Sequence, residues 1–572
     1  MTCPWPRASS SAEANTGTPR PPASGRWGFR LALAGWGAVA LAARLWQAGA
    51  PSLWHDEALE WQRAGLSWPL LLRGRGIDQD PPLMAILLKP WLALGQQEAW
   101  LRAPAALAGA ALVVLLGAAA ARRWGRDTGC AAAALAAMAP VLVHYGQELN
   151  QYSGMVVLAV VLWLAGEGVR RRGWPRDWQR LSGLSAIALT WHYGLAFPVA
   201  IQAAGLWRRG RSHSVSHPCP ADPGPAVDRS ALAGHFLVCA TTVLLLAGLG
   251  LGERLATPHN QPRLFGTGVI KELDYLADHL WREALVFFLT PFGGGGALWV
   301  AGGLGMVALW GAMLLWRGAL DIPAAAGAGR HLVLLLGGNL ALLYAADITG
   351  LYPLGNRWSL FLAPTLLLCL AAGLASLGRA APALGRGALA ATLLAFFLLW
   401  PQRDALNADL AVPREPLRAA LAWLERERRP DEPLYLTHAT APAFAYYGRV
   451  PDLPPAHSPP AAAPGAATIV GRAPSDRPPA DDIAAFLTAE RPAHRLWLII
   501  DRAEPGQAAA LAERLLATGW RQGRVWEQAG LRVEAWDAVV PLTKVRLVRP
   551  IGAMHVPRPS RGSAVAGYGR HR

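Results

Sequence analysis

The sequence predicts a mainly α, polytopic helical membrane bundle followed by a small α/β domain. Three observations lead there. The 572 residues are 53% hydrophobic and 16% charged, with a mean hydropathy of +0.23, which is less charge than a water-soluble chain of this length carries. From about residue 31 to residue 400 the apolar residues fall into repeated blocks of Ala, Leu, Val and Gly, and a bilayer-spanning helix needs ~20 such residues. After Trp400 the chain turns charged and Pro-rich, with the periodicity of soluble helices and strands. Lipid admits only helices or closed barrels, because every backbone polar group must be satisfied internally.

The net charge of +16 raises nucleic acid as a partner, and the placement of the charge argues against it. The arginines gather in short loops between apolar blocks: Arg122, Arg123 and Arg126; Arg170, Arg171, Arg172, Arg176 and Arg180; Arg208, Arg209 and Arg211. Such loops stay in the cytoplasm under the positive-inside rule. The five cysteines, Cys3, Cys130, Cys219, Cys239 and Cys369, show no disulfide spacing.

The elements follow in order. Residues 1–27 read as a disordered cytoplasmic N-terminus, kept inside by Arg20, Arg26 and Arg30. A first span at about 28–49 exits, and a second at about 101–121 returns to Arg122 and Arg123. Residues 50–100 are then an outer loop, within which 81–95 reads as an interfacial helix. Further spans are expected at about 128–144, 150–169, 181–193, 194–207, 231–251, 297–316, 331–349, 358–377 and 387–401, about eleven in all, with the C-terminus outside. The outer loop 252–296 ends in four glycines that read as a hinge. In the extracytoplasmic domain, 402–540, helices are expected at 414–429 and 506–520 and strands at 434–438, 496–501 and within 524–536, with 453–480 a loop. The tail 541–572 is basic and low in complexity.

Several polar motifs fall at the outer ends of these helices. "SLWHDEALE" puts Asp56 and Glu57 just after the first span. Neighbours on a helix point about 100° apart, so one can face a cavity while the other pairs, and Glu60 shares a face with either. The plainer reading is a helix start capped by Ser52 or Asp56. "DQDPPL" brings Asp78 and Asp80, or simply makes a turn. "HYGQELNQYS" supplies Gln147, Glu148 and Tyr152, and "TWHYG" supplies His192 and Tyr193. "LYPLGNRWS" carries Tyr352, Asn356 and Arg357. An arginine on the outer side runs against the charge rule. An anion would explain it, since guanidinium forks suit phosphate, and snorkelling to water is the alternative. Gathered on one face, carboxylates, His, Tyr and Arg suit a reaction on a lipid-linked phosphate.

In order and spacing, "WHDEALEWQRAG", "DQDPPLMAILLKPWLALG", "LRAPAALAGAALVVLLG", "HYGQELNQYS", "WHYG" and "YPLGNRWSLFLAPTLLLCLAAGL" resemble the GT-C membrane glycosyltransferases, in particular the protein O-mannosyltransferase and lipid A aminoarabinose transferase group. The resemblance covers about residues 28–400. It implies a polyprenyl-phosphate-linked sugar as donor, transfer with inversion to a glycan, lipid or protein hydroxyl on the outer face, and Asp56 as the base with Glu57 supporting it. It also implies that Lys89, Arg357, His192 and Tyr193 contact the donor phosphate. Asp78, Asp80, Gln147, Glu148, Tyr152 and Tyr352 would line the sugar or acceptor cavity. Two positions depart from the pattern: Asp80, where relatives often carry His or Lys, and Asn150, where they often carry Arg. No cofactor is expected, and whether a divalent metal takes part is open at this point. His213, His217 and Cys219 have a spacing that could ligate a metal, but on the cytoplasmic side.

The expected location is a bacterial inner (plasma) membrane, crossed many times. Two competing readings are a transporter or flippase of lipid-linked sugars and a non-catalytic membrane assembly protein. A transporter would show repeated halves and polar residues at mid-membrane, and the sequence shows neither.

Overall fold

The computed structural model describes residues 24–73, 80–212, 227–248, 295–320, 327–354, 356–398, 416–448, 468–470, 494–501, 505–528 and 530–539. Asp78, His213, His217, Cys219, most of the N-terminal segment, the loop 252–294 and the tail from residue 541 lie outside them.

Six helices among the described residues are long and apolar enough to cross a membrane: Trp27–Leu45, Glu98–Trp124, Tyr152–Arg172, Arg229–Leu246, Ala328–Ile348 and Arg357–Ala380. A pair bent by 55°, Arg126–Met138 and Pro140–Gly146, makes a seventh if taken as one span. Among the described residues the expected tally of about eleven is not reached on length and apolarity. Pro140 lies at the break and removes a backbone donor there, which explains the bend in what the sequence reads as one helix. Pro175–Trp191 and Ala196–Ser212 are 17 residues each, longer than expected, and meet through a 3-10 turn at Tyr193–Leu195. The glycine run expected as a hinge instead enters a helix at Gly295. The chain is an integral membrane protein.

The bundle packs through small residues, as helices in lipid do. The helices Gly295–Arg317 and Ala363–Ala380 approach so closely that a Cβ on Gly311 would stand 1.8 Å from the carbonyl oxygen of Cys369, and one on Gly373 would stand 2.3 Å from that of Val307. Helix Ala363–Ala380 is buried along most of its length and carries the bundle's centre.

The first two long helices enclose three short ones. We label them α1 (Ser24–Leu45), α2 (His55–Gly65), α3 (Trp68–Arg73), α4 (Leu83–Leu92) and α5 (Glu98–Trp124). At ten residues α4 is about 15 Å long, half a hydrocarbon core. It packs on α2 around Leu53, Ala64, Leu71, Met84, Ala85 and Leu88.

The C-terminal residues form a five-stranded sheet in the order β2-β1-β3-β5-β4, with β1 Leu434–Leu436, β2 Thr468–Val470, β3 Arg495–Asp501, β4 Trp520–Gln528 and β5 Leu531–Ala538. β1 runs parallel to β2 and β3, while β3–β5 and β5–β4 are antiparallel. Strand β2 falls in a stretch the sequence reads as loop; its three residues are held by pairing with β1. Side chains of β3 alternate, as the two-residue period demands. Trp497 and Ile499 pack with Leu417, Ala420 and Leu424 of helix Leu417–Glu427, and Leu496, Leu498 and Ile500 pack with Leu511 and Leu515 of helix Pro505–Ala517. The first of these faces also takes in Ala58 of α2, so the domain rests on the segment between α1 and α5.

Candidate active site

Helix α2 begins after Trp54, an extended residue whose side chain makes no capping bond. Neither Ser52 nor Asp56 is the N-cap. Asp56 and Glu57 sit in the first turn, where the positive end of the helix dipole favours acids. The two then part company.

Glu57 points into the protein and is fully buried. Arg102 of α5 donates Nε to its Oε1 at 2.7 Å and Nη2 to its Oε2 at 2.5 Å, and the Leu149 backbone N–H donates to Oε1 at 2.7 Å. The rest of the Arg102 fork reaches the carbonyls of Pro51 at 3.0 Å and Ser52 at 3.1 Å. Both carboxylate oxygens are thus engaged, and the pair ties the start of α2 to α5 and to the corner before Tyr152.

Asp56 points the other way, with its side chain 31% exposed, and pairs with Arg357, whose side chain is 23% exposed. Arg357 lies in a 3-10 turn, Asn356–Leu362, leading into helix Ala363–Ala380. Its guanidinium carbon stands 5.5 Å from the ring centre of Trp54, 5.9 Å from Tyr152 and 5.4 Å from Trp358. Three rings of negative π-face around one cation hold it in place. Behind them, the Tyr352 hydroxyl donates to the Trp358 carbonyl at 3.0 Å. His192 lies 5.7 Å from Tyr152 and 6.4 Å from Trp358, ring to ring. Its Nδ1 accepts from Gly194 N–H at 2.9 Å, which leaves the hydrogen of a neutral ring on Nε2. Tyr193 follows at the start of the 3-10 turn, half-buried against the bundle core.

The structure brings Asp56, Arg357, Tyr152, His192 and Tyr352 together and sends other expected residues elsewhere. Lys89 donates to the carbonyls of Ala64 at 3.2 Å and Leu66 at 2.5 Å. It caps the far end of α2, about 12 Å or more along the axis from Asp56. Gln147 donates to the carbonyls of Ala43 at 2.8 Å and Trp46 at 3.0 Å and closes the end of α1. Glu148 pairs with His144 at 3.1 Å and accepts from Asn150 at 2.8 Å; Asn150 in turn accepts from the Tyr152 N–H at 2.9 Å. Asp80 accepts from Gln151 at 2.8 Å, and its carbonyl accepts from Arg63.

Arg63, Arg102, Gln151 and Glu60 are the residues the sequence reading left out of the site. Glu60 is buried one turn from Asp56. Burial pushes its carboxyl up to about 7, with Asp80 and Asp56 adding to the shift and Arg63 opposing it. The signal was present in α2 itself, whose buried face is Glu57, Ala58, Glu60, Arg63 and Ala64. A short helix with charges inside and Leu59 and Trp61 further out is built around a polar site.

The C-terminal domain packs against this helix. Tyr447 accepts from the Leu53 N–H at 2.7 Å and donates to Glu98 at 3.1 Å; His55 meets the Ala439 carbonyl at 2.7 Å. Arg418 pairs with Glu98 at 3.3 Å. Burial raises the Tyr446 and Tyr447 hydroxyls well above the usual phenol range. Among the described residues no group of three or more His, Cys, Asp or Glu could hold a metal ion.

No family model and no curated protein matches the chain. Solved structures do. ArnT from Cupriavidus metallidurans bound to undecaprenyl phosphate is 14% identical, covering 90% of this chain and 98% of that one at a TM-score of 0.47. The same protein in the apo state is 13% identical over 91% and 99% at 0.43. The Archaeoglobus fulgidus oligosaccharyltransferase in complex with Zn and sulfate is 11% identical over 89% and 73% at 0.46. These alignments cover about nine-tenths of this chain.

Proposed function

We propose that the chain is a glycosyltransferase that moves a sugar from a polyprenyl-phosphate donor to an acceptor hydroxyl at the extracytoplasmic membrane surface, inverting the anomeric centre. The observation that carries this reading is the Asp56–Arg357 ion pair among Trp54, Tyr152 and Trp358, at the junction of the outer loop and the bundle.

The acceptor hydroxyl attacks the anomeric carbon from the face opposite the phosphate. The new oxygen–carbon bond forms as the carbon–oxygen bond to phosphate breaks, and that electron pair leaves on polyprenyl phosphate. Asp56 takes the acceptor's proton, and the Arg357 fork meets the charge developing on the leaving phosphate. Without donor, the two neutralise each other and Arg357 engages Asp56 through its Oδ2. A donor phosphate competes for Arg357 and frees Asp56 to act as base. Tyr152, His192 and Tyr352 shape the surroundings of the arginine.

The test is turnover in liposomes holding a panel of polyprenyl-phosphate sugars and acceptors, read as release of polyprenyl phosphate. Turnover by the wild type that a folded Asp56→Asn variant lacks supports the reading. Equal turnover removes Asp56 from the mechanism, and no turnover with any pair in the panel counts against transfer.

A further inference from the structure

Beside the Asp56–Arg357 pair lies a second polar cluster that the reaction as described leaves unused. Glu60, Arg63 and Gln151 are 7%, 3% and 4% exposed, and each buries a polar atom without a hydrogen-bond partner: Glu60 Oε2, Arg63 Nη1 and Gln151 Oε1. All three belong to one place. Arg63 Nη2 reaches the carbonyl of Asp80, Gln151 Nε2 donates to Asp80 Oδ2 at 2.8 Å, and Glu60 lies within electrostatic reach of Arg63, Asp80 and Asp56. Leaving a buried polar group unsatisfied costs about 1–3 kcal/mol each. Three such costs in one cluster, whose Glu60 lies one turn of helix from Asp56, point to a ligand that repays them.

The chemistry of the three atoms identifies that ligand. Arg63 Nη1 can only donate and Gln151 Oε1 can only accept. The Glu60 carboxyl, raised toward neutral pH by burial, can do either. A sugar hydroxyl is one donor with two acceptor lone pairs, so two adjacent hydroxyls match this mixture. A carboxylated sugar would meet Asp80 and Glu60 in repulsion. We propose that Glu60, Arg63 and Gln151 form the subsite that binds a neutral vicinal diol of the transferred sugar. This rests on the transferase reading above and names which residues hold the sugar rather than the phosphate.

The experiment measures binding of the purified full-length protein in nanodiscs to polyprenyl phosphate and to polyprenyl-phosphate mannose, glucose and arabinose. The wild type is expected to bind at least one sugar-bearing lipid more tightly than the bare lipid. Glu60→Ala and Gln151→Ala should each weaken that sugar-bearing lipid about tenfold and leave the bare lipid unchanged, while Glu60→Gln, which keeps a donor and an acceptor, should retain most of the affinity. Variants that keep the full sugar preference overturn the subsite and leave the transferase standing. Variants that lose both lipids equally also overturn it, since the residues then only support the fold. A wild type indifferent to sugar on every lipid overturns both readings.

Discussion

Asp56 and Glu57 are chemically alike and adjacent in sequence, yet the structure assigns them opposite consequences when neutralised. Glu57→Gln keeps the shape of the side chain. It sets an amide N–H₂ against donors from Arg102 or Leu149 and leaves the Arg102 guanidinium charged and buried, at 0% exposure. Breaking a buried ion pair on one side costs about 3–5 kcal/mol. At about 2–4 °C per kcal/mol for a chain of more than 150 residues, the midpoint of heat-induced loss of folded protein in detergent should fall by about 10 °C. Asp56→Asn alters a pair in which both partners reach solvent, so its effect on stability should stay within about 1 kcal/mol, while turnover is lost. A double-mutant cycle sharpens the contrast. Glu57→Leu combined with Arg102→Met should be less damaging than either single change, because the uncompensated charge is gone. A Glu57→Gln protein that melts within about 2 °C of the wild type would refute the assignment of Glu57 to anchoring α2, whatever its activity.

Three further outcomes follow from the geometry. Tyr447→Phe removes the hydroxyl that joins Leu53 to Glu98; with the turn before α2 loosened, turnover should drop by about tenfold for a stability loss near 1 kcal/mol, measured by parallel kinetics and melting, and unchanged turnover would make the soluble domain dispensable for the helix. Gly373→Val has to displace the Val307 carbonyl, 2.3 Å from the new Cβ, and should lower the melting midpoint, whereas Gly303→Ala, with open space around it, should not. The Glu60 carboxyl, raised from 4.5 to about 7 in the folded protein, makes the folded state bind more protons than the unfolded state between those values. Its contribution to stability is therefore greatest at low pH and falls as pH rises through that window. The difference in melting midpoint between wild type and Glu60→Gln should change in that sense between about pH 4.5 and 7 and be flat above, and a pH-independent difference would show that Glu60 does not titrate there.

Much of the architecture could be read without coordinates because its causes are local. Repeated apolar blocks of about twenty residues, arginines gathered at alternate ends, and the short apolar run "LWLIID" each follow from the chemistry of a short segment against its solvent. The same holds for the gathering of polar motifs at helix ends, which included Asp56, Tyr152, His192 and Arg357. What the segments do to one another was not legible. The pairing that holds Thr468–Val470 as a strand and the reach of Lys89 to the far end of α2 depend on partners distant in the chain.

The division of labour between Asp56 and Glu57 is the sharpest case. That two acids begin a helix just after an apolar span was legible in the sequence, because the dipole favours them there and the preceding span must end. Only the tertiary structure decided that Arg102, 45 residues on, takes one of them into the interior, and that Arg357, 301 residues on, meets the other at the surface. A 100° step between neighbouring side chains is local geometry; which cation waits on each side is a property of the folded bundle.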